Sequence, residues 1–146
     1  MATRTHVQWQ AMVDGLEIRH QAWINGEYTD AASGGTFDCF SPVDGKFLTR
    51  VASCDEKDVN RAVAAARSTF ESGVWCRKSP VACKKILQAF ARKIEQHLEE
   101  LALLESITMG KPINDALGDH IPGSANCISW CAEDIDKIYD EVAPCL

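Results

Sequence analysis

Seven cysteines, at positions 39, 54, 76, 83, 127, 131 and 145, are the residues of this chain best suited to covalent or metal chemistry. Cys127 and Cys131 are spaced i and i+4, which puts both thiols on one face of a helix, with His120 nearby. A structural zinc takes four ligands at tighter spacings, usually on turns, so packing or helix surface is the stronger reading of this trio. Cys76 stands just before Arg77 and Lys78, the most electropositive surroundings of the seven. A cysteine nucleophile also needs a base partner or a helix N-terminus to lower its pKa, and no adjacent His is present. Glu95, Glu99, Glu100 and Glu105 raise the question of paired carboxylates. Three of them fall near the start of a predicted helix, where the macrodipole favours acids, so a solvated face is expected. Glu133, Asp134, Asp136, Asp140 and Glu141 read likewise as the wet side of a last helix. Gly34-Gly35, Gly45 and Gly110 do not form the strand–GxGxxG–helix arrangement that aims amides at a pyrophosphate. No residue earns a catalytic or cofactor-binding role from its own context.

Composition narrows the classes further. The chain has 146 residues, enough for one domain, and is 46% apolar and 25% charged, ordinary for a globular protein. Its formal net charge of −6, with scattered basic residues and only Lys84-Lys85 as a tight cluster, argues against nucleic acid as a partner. No apolar run approaches the roughly 20 residues of a membrane helix, and the N-terminus lacks the apolar core of a secretory signal. An odd cysteine count at irregular spacing predicts free, mostly buried thiols in a reducing compartment, hence a cytoplasmic protein.

The elements that must position these residues follow from pattern. Residues 1–20 read as an amphipathic or loosely ordered arm, with Met12, Val13, Leu16 and Ile18 available for packing. Residues 21–24 and 27–29 flank Asn25-Gly26, a dipeptide that supplies positive φ at both centres of a type I′ turn. Strands at 36–40 and 46–51 are joined through Ser41-Pro42-Val43-Asp44-Gly45, giving a second hairpin. From Asp55 the period changes from two to 3.6. Asp55 is expected to cap the amide of Asp58 and open a helix to about residue 71, with Val59, Ala62, Val63, Ala66 and Phe70 on one face. Ser79-Pro80 starts a helix to about 97 with Ile86, Leu87, Phe90, Ala91 and Ile94 inward; another spans roughly 99–109, carries Leu101, Leu104 and Ile107, and closes at Gly110. Pro112 starts a short helix that the stretch from Gly118 to Pro122 should break or kink. The last helix, about 121–142, repeats apolar residues at 121, 125, 128, 132, 135, 139 and 142.

These helices carry apolar residues on more than one face, and two short hairpins are too little sheet to cover them. A parallel sheet is the natural cover, so the chain by itself should present an unusually large apolar surface.

In order along the chain, WINGEY (23–28), TFDCFSPVDG (36–45), DVNRAVAAARSTF (58–70) with Trp75, ELALLE (100–105), GKP (110–112) and DKIY (136–139) resemble the N-terminal portion of the NAD(P)-dependent aldehyde dehydrogenase superfamily. The likeness covers residues 21–146, and the tract 119–143 is most similar to the bacterial γ-glutamyl-γ-aminobutyraldehyde branch, which serves putrescine catabolism. The resemblance implies an α/β parent, whose N-terminal piece is mostly α-helical with two small β-hairpins. Residues 1–20 would be an arm and 21–146 an incomplete cofactor-binding domain. It implies a reaction in which a cysteine thiolate attacks an aldehyde, hydride passes to nicotinamide, and a glutamate-activated water releases the acid. The nucleophile, base, oxyanion Asn and nucleotide loop all belong to later parts of the family, so none of the seven cysteines is carried over as catalytic.

Two supporting roles do map from the resemblance. Backbone carbonyls near Cys39, Phe40 and Thr108 correspond to a monovalent cation site, with Thr108 standing where the family usually has Asp. Gly123, Cys127 and Trp130 correspond to the mouth of a substrate tunnel. The expectation is an inactive N-terminal fragment that binds no cofactor itself, from a parent that takes NAD or NADP, oxidises an amino- or γ-glutamylamino-aldehyde and forms a homo-oligomer. The alternative is a non-catalytic helical interaction module that docks on full-length dehydrogenase subunits.

Overall fold

The structure, a computed structural model, describes residues 4–137. The arm is more ordered than its sequence pattern suggests: α1 spans His6–Asp14. Thr5 and Gln8 form a capping box at its start, each side chain taking up the other's amide, which satisfies donors that a helix end otherwise leaves orphaned. Trp9, not the four residues singled out by pattern, is its buried side chain. Arg4 stacks over Trp9 and reaches both Glu99 carboxylate oxygens, at 2.6 and 3.1 Å, tying the arm to the start of α4 (Leu98–Met109).

Both hairpins form. Strands β1 (Ala22–Ile24) and β2 (Glu27–Thr29) pair antiparallel, with φ of 54° at Asn25 and 85° at Gly26, the left-handed values the turn demands. Strands β3 (Thr36–Phe40) and β4 (Phe47–Ala52) pair in a separate two-stranded sheet, with a bulge at Cys39/Phe40. The amide of Ala52 donates to the His20 carbonyl at 2.9 Å, anchoring this hairpin to the segment after α1.

Helix α2 (Glu56–Ser72) opens as expected at Asp55, whose carboxylate takes the Asp58 amide in a capping box and the Lys57 amide as well, the latter at 2.8 Å. The Asp58 side chain returns the contact to the Asp55 amide. Helix α3 (Pro80–Gln96) is capped by Ser79 and packs on α6 (Ile121–Asp134). Cys83 and Ala91 on α3 and Ala125 and Ala132 on α6 are buried. Such small residues let two helices approach closely. Lys84, near the start of α3, reaches Glu133 at 2.7 Å and Asp136 at 3.2 Å, so the two helices lie antiparallel.

Two expectations are corrected here. Ile86 and Phe90 do not point inward; both are exposed. The Gly118–Pro122 stretch does not break the helix. After α5 (Ile113–Asp115) comes one π-helical segment, Ala116–His120, in which the Ile121 amide donates to the Ala116 carbonyl, and α6 continues from it. Pro122 has no amide to offer, and a wider turn absorbs the mismatch while the helical run continues. Tyr139 and Val142 of the apolar repeat, with Asp140, Glu141 and Cys145, lie outside the described residues.

The buried set is small in every sense. Alanines at 31, 91, 102, 116, 125 and 132 dominate it, with Trp9, Cys83 and Leu103 the larger members. Meanwhile Val59, Val63 and Phe70 on α2, Trp23 on β1 and Trp75 beyond α2 are exposed. The apolar face of α2 is real and bare, as the pattern predicts for helices shaped to lie against a sheet. Among the described residues no helix is long and apolar enough to cross a membrane.

Candidate functional site

Three sequence-chosen residues converge on α6. Gly123, Cys127 and Trp130 line one open hollow together with Asn126, Ser129 and Glu133. The spacing explains it. Gly123, Cys127 and Trp130 fall on the side of the helix opposite the buried Ala125 and Ala132, and Gly123 leaves the rim without a side chain. Trp130 is 68% exposed at its edge, so the hollow has one large apolar wall open to an incoming group.

Cys39, Phe40 and Thr108 sit on two elements that the fold brings together. The last turn of α4 ends in Gly110, whose φ of 75° closes the helix, and a Cβ there would stand 3.2 Å from the Pro42 ring. The register shifts between Cys39 and Phe40, which pair with Thr49 and Phe47, so the ladder is interrupted there and Leu48 of β4 is passed over. Thr108 turns its hydroxyl back to the Leu104 carbonyl at 2.7 Å, so its side chain is engaged within its own helix.

The GKP turn after α4 is held by charge. Lys111 pairs with Glu105, and Ser106 donates to the Lys111 carbonyl at 2.8 Å. Glu105 is therefore part of an internal pair instead of a solvated face; its second oxygen is buried with no partner. Four other carboxylates also find partners. Glu99 meets Arg4 and Glu100 meets His97, while Glu133 and Asp136 join Lys84 across the α3–α6 seam. The hydrogen bond and charge of Lys84, then of Lys137, hold Glu133 below the usual glutamate range, and Arg4 does the same for Glu99. These acids serve as fasteners between elements.

Asp58, at the start of a predicted helix, proves to be the most buried charged group among the described residues, 2% exposed. Its carboxylate accepts the Ala32 amide through both oxygens, at 3.0 and 3.1 Å, and Arg61 stands 3.3 Å away. It thereby fixes the loop after the first hairpin to α2. The sequence signal for the local half of this role was the Asp55–Asp58 spacing; the loop contact has no local signature.

Among the described residues no three His, Cys, Asp or Glu side chains gather as a metal cluster, so His120 does not join Cys127 and Cys131 in one. Cys76 lies at the surface with its Sγ 3.9 Å from the Phe70 carbonyl. The described glycines with positive φ (26, 34, 45, 73 and 110) serve turns and helix ends. None lies between a strand and the N-terminus of the helix it feeds in the manner of a pyrophosphate cradle.

Comparison with known proteins gives these features a frame. The model of the aldehyde dehydrogenase family matches residues 28–145. Among curated relatives, the chain is 47% identical over 135 residues to the NADP/NAD-dependent aldehyde dehydrogenase PuuC of Escherichia coli, covering 92% of this chain and 27% of that one. It is 42% identical over 137 residues to an aminoacetaldehyde dehydrogenase of Pseudomonas aeruginosa, covering 94% and 28%. The chain thus spans about a quarter of the length of the curated relatives it matches. Among solved structures, it superimposes on the P. syringae indole-3-acetaldehyde dehydrogenase AldA in complex with NAD+ with a TM-score of 0.94 at 55% identity, covering 98% of this chain and 29% of that one. On a γ-glutamyl-γ-aminobutyraldehyde dehydrogenase from Burkholderia cenocepacia the TM-score is 0.93 at 48% identity, covering 97% and 29%.

Proposed function

This chain belongs to the aldehyde dehydrogenase family, and we propose on that premise that it is the N-terminal part of an NAD(P)-dependent enzyme. The enzyme oxidises an aldehyde bearing an amino or γ-glutamylamino group to its carboxylic acid. The observation that carries the reading is the superposition at TM-score 0.93 on a γ-glutamyl-γ-aminobutyraldehyde dehydrogenase, joined to 47% identity with PuuC. Residues 21–146 form the first part of its cofactor-binding domain, residues 1–20 its arm, and the whole is a cytoplasmic homo-oligomer.

The share of the work done by these residues is structural. Gly123, Cys127 and Trp130 shape the approach to the substrate tunnel, a role supported by their common hollow on α6. The carbonyls of Cys39, Phe40 and Thr108 hold a monovalent cation, supported by the bulge at the first two and by the approach of the α4 end to Pro42. The nucleophile, the base and the nucleotide cradle belong to segments of the relatives that this chain does not span.

A panel assay tests both halves of the proposal. The 146-residue chain given NAD+ or NADP+ with γ-glutamyl-γ-aminobutyraldehyde, aminoacetaldehyde or indole-3-acetaldehyde should form no reduced nicotinamide; turnover would place the chemistry within it. The same panel on the full-length enzyme should favour the amino-substituted aldehydes. Preference for the indole substrate would instead follow the 55% identity to AldA and replace the substrate assignment.

The bare face of α2 favours one second reading, a docking module for dehydrogenase subunits. A chain that stays monomeric and captures no full-length subunit excludes it.

A further inference from the structure

We propose that Cys127 and Cys131 form a two-thiolate site on α6 for a soft, two-coordinate monovalent cation of the Cu(I) class. Both residues are free and exposed, one turn apart on a regular stretch of helix, so no rearrangement of the fold is needed to reach them. The opposite side of the same helix, at Ala125 and Ala132, is buried, which fixes the thiols outward.

Helix geometry selects what can bridge them. Cβ atoms at i and i+4 stand roughly 5–6 Å apart, beyond the ~3.5–4.5 Å that a disulfide allows. Oxidation to a disulfide would therefore require the turn to unwind. A metal ion between the two sulfurs needs no such closure. Two thiolate bonds of roughly 2.3 Å each span about 4–4.6 Å, a separation that side-chain rotamers on adjacent turns can meet. Zinc would demand two further ligands, and among the described residues no third His, Cys, Asp or Glu joins the pair. Soft sulfur donors at low coordination number select Cu(I).

The local electrostatics agree. Partial withdrawal from water raises the Cys131 thiol first, and the Cys127 thiol and the Asp134 charge raise it further. The two sulfurs therefore already sense each other, and the negative field that disfavours a second thiolate is one that a cation relieves. Binding exchanges two S–H protons for two Cu–S bonds: Cu+ and two thiols give a bis-thiolate complex of charge −1 and two released protons, with no change of oxidation state.

The test is a competition titration of the full chain, reduced and oxygen-free, against a chromophoric Cu(I) chelator, with metal stoichiometry read in parallel by native mass spectrometry. The wild-type chain should withdraw Cu(I) through this pair. Cys127→Ser and Cys131→Ser should each weaken that uptake by more than the roughly tenfold that even an outer-shell change costs a metal site. A Cys54→Ser/Cys76→Ser variant, which removes the other two thiols exposed among the described residues, should retain it. Unchanged uptake in either single variant, or loss only in the Cys54/Cys76 variant, overturns the assignment. Circular dichroism of each serine variant should match wild type, since both positions face water.

Discussion

Asp58 concentrates at one residue the logic by which this chain holds its loops. A carboxylate 2% exposed is costly to keep charged unless its oxygens are occupied, and here they accept the Ala32 and Asp55 amides with Arg61 alongside. Replacing it with Ala would leave two amides without an acceptor at the start of α2 and free the 30–35 loop. We expect Asp58→Ala to cost about 2–4 kcal/mol, since each hydrogen bond to a charged group contributes about 1.5–3 kcal/mol and a lost cap about 1 kcal/mol. Asp58→Asn, which keeps an acceptor oxygen, should recover part of that loss; urea denaturation of the two variants against wild type measures both. The sequence showed the local half of this residue, its spacing from Asp55. It hid the tertiary half, because a carboxylate's grip on an amide 26 positions away has no periodicity to read. The Arg4–Glu99 pair was hidden for the same reason, whereas Thr5 and Gln8 carried a readable capping signature that the low apolar periodicity of α1 masked.

At the level of elements, the α3–α6 seam shows which pattern rules hold and which fail. The apolar repeat of α6 placed Ala125 and Ala132 correctly on its inner face, and alanine there permits close helix approach. Ala132→Leu should therefore overpack the seam and cost about 1–3 kcal/mol in the same denaturation experiment. Polar residues beside the seam were read as wet, yet Lys84 draws Glu133 and Asp136 across it. A helical wheel displays which face a residue takes but not which neighbour comes to that face. The pairing predicts a pH response. Glu133 and Glu99 have folded-state pKa values depressed below their unfolded ones, so the unfolded chain binds more protons in that interval. Their contribution is complete above the ordinary glutamate value of about 4.3 and is lost as pH falls through the depressed folded values. Lys84 is raised, so its contribution is complete below its ordinary value and disappears as pH rises through the folded one. Thermal melts should thus be level through neutrality and fall on both limbs. Lys84→Met should flatten the alkaline limb and part of the acid limb, and added salt should weaken both, because the groups lie near water.

For the molecule as a whole, hydrophobic pattern predicted helices in excess of the sheet available to cover them, and the two hairpins and small alanine-rich core match that prediction. The hollow on α6 was legible only through family resemblance, because Gly123, Cys127 and Trp130 carry no chemistry in their own spacing. The bare face of α2 sets a test that separates this arrangement from a closed one. In a self-contained core, placing a charge at an inward helix position leaves it desolvated and unpaired, at a cost of several kcal/mol. Val63 is central to the apolar stripe of α2 yet 60% exposed, so a lysine there would extend into water and disturb no packing. Val63→Lys should accordingly change the stability of the 146-residue chain by no more than about 0.5 kcal/mol. It should also reduce the binding of an apolar fluorescent dye, since it interrupts the surface shared by Val59, Val63 and Phe70. Unfolding, or loss of a self-associated species by sedimentation, would mean that this face is covered in solution. The same substitution in a full-length aldehyde dehydrogenase carrying these residues should be severe if a sheet lies on α2, so the contrast between the two backgrounds reads directly how much stability that cover supplies.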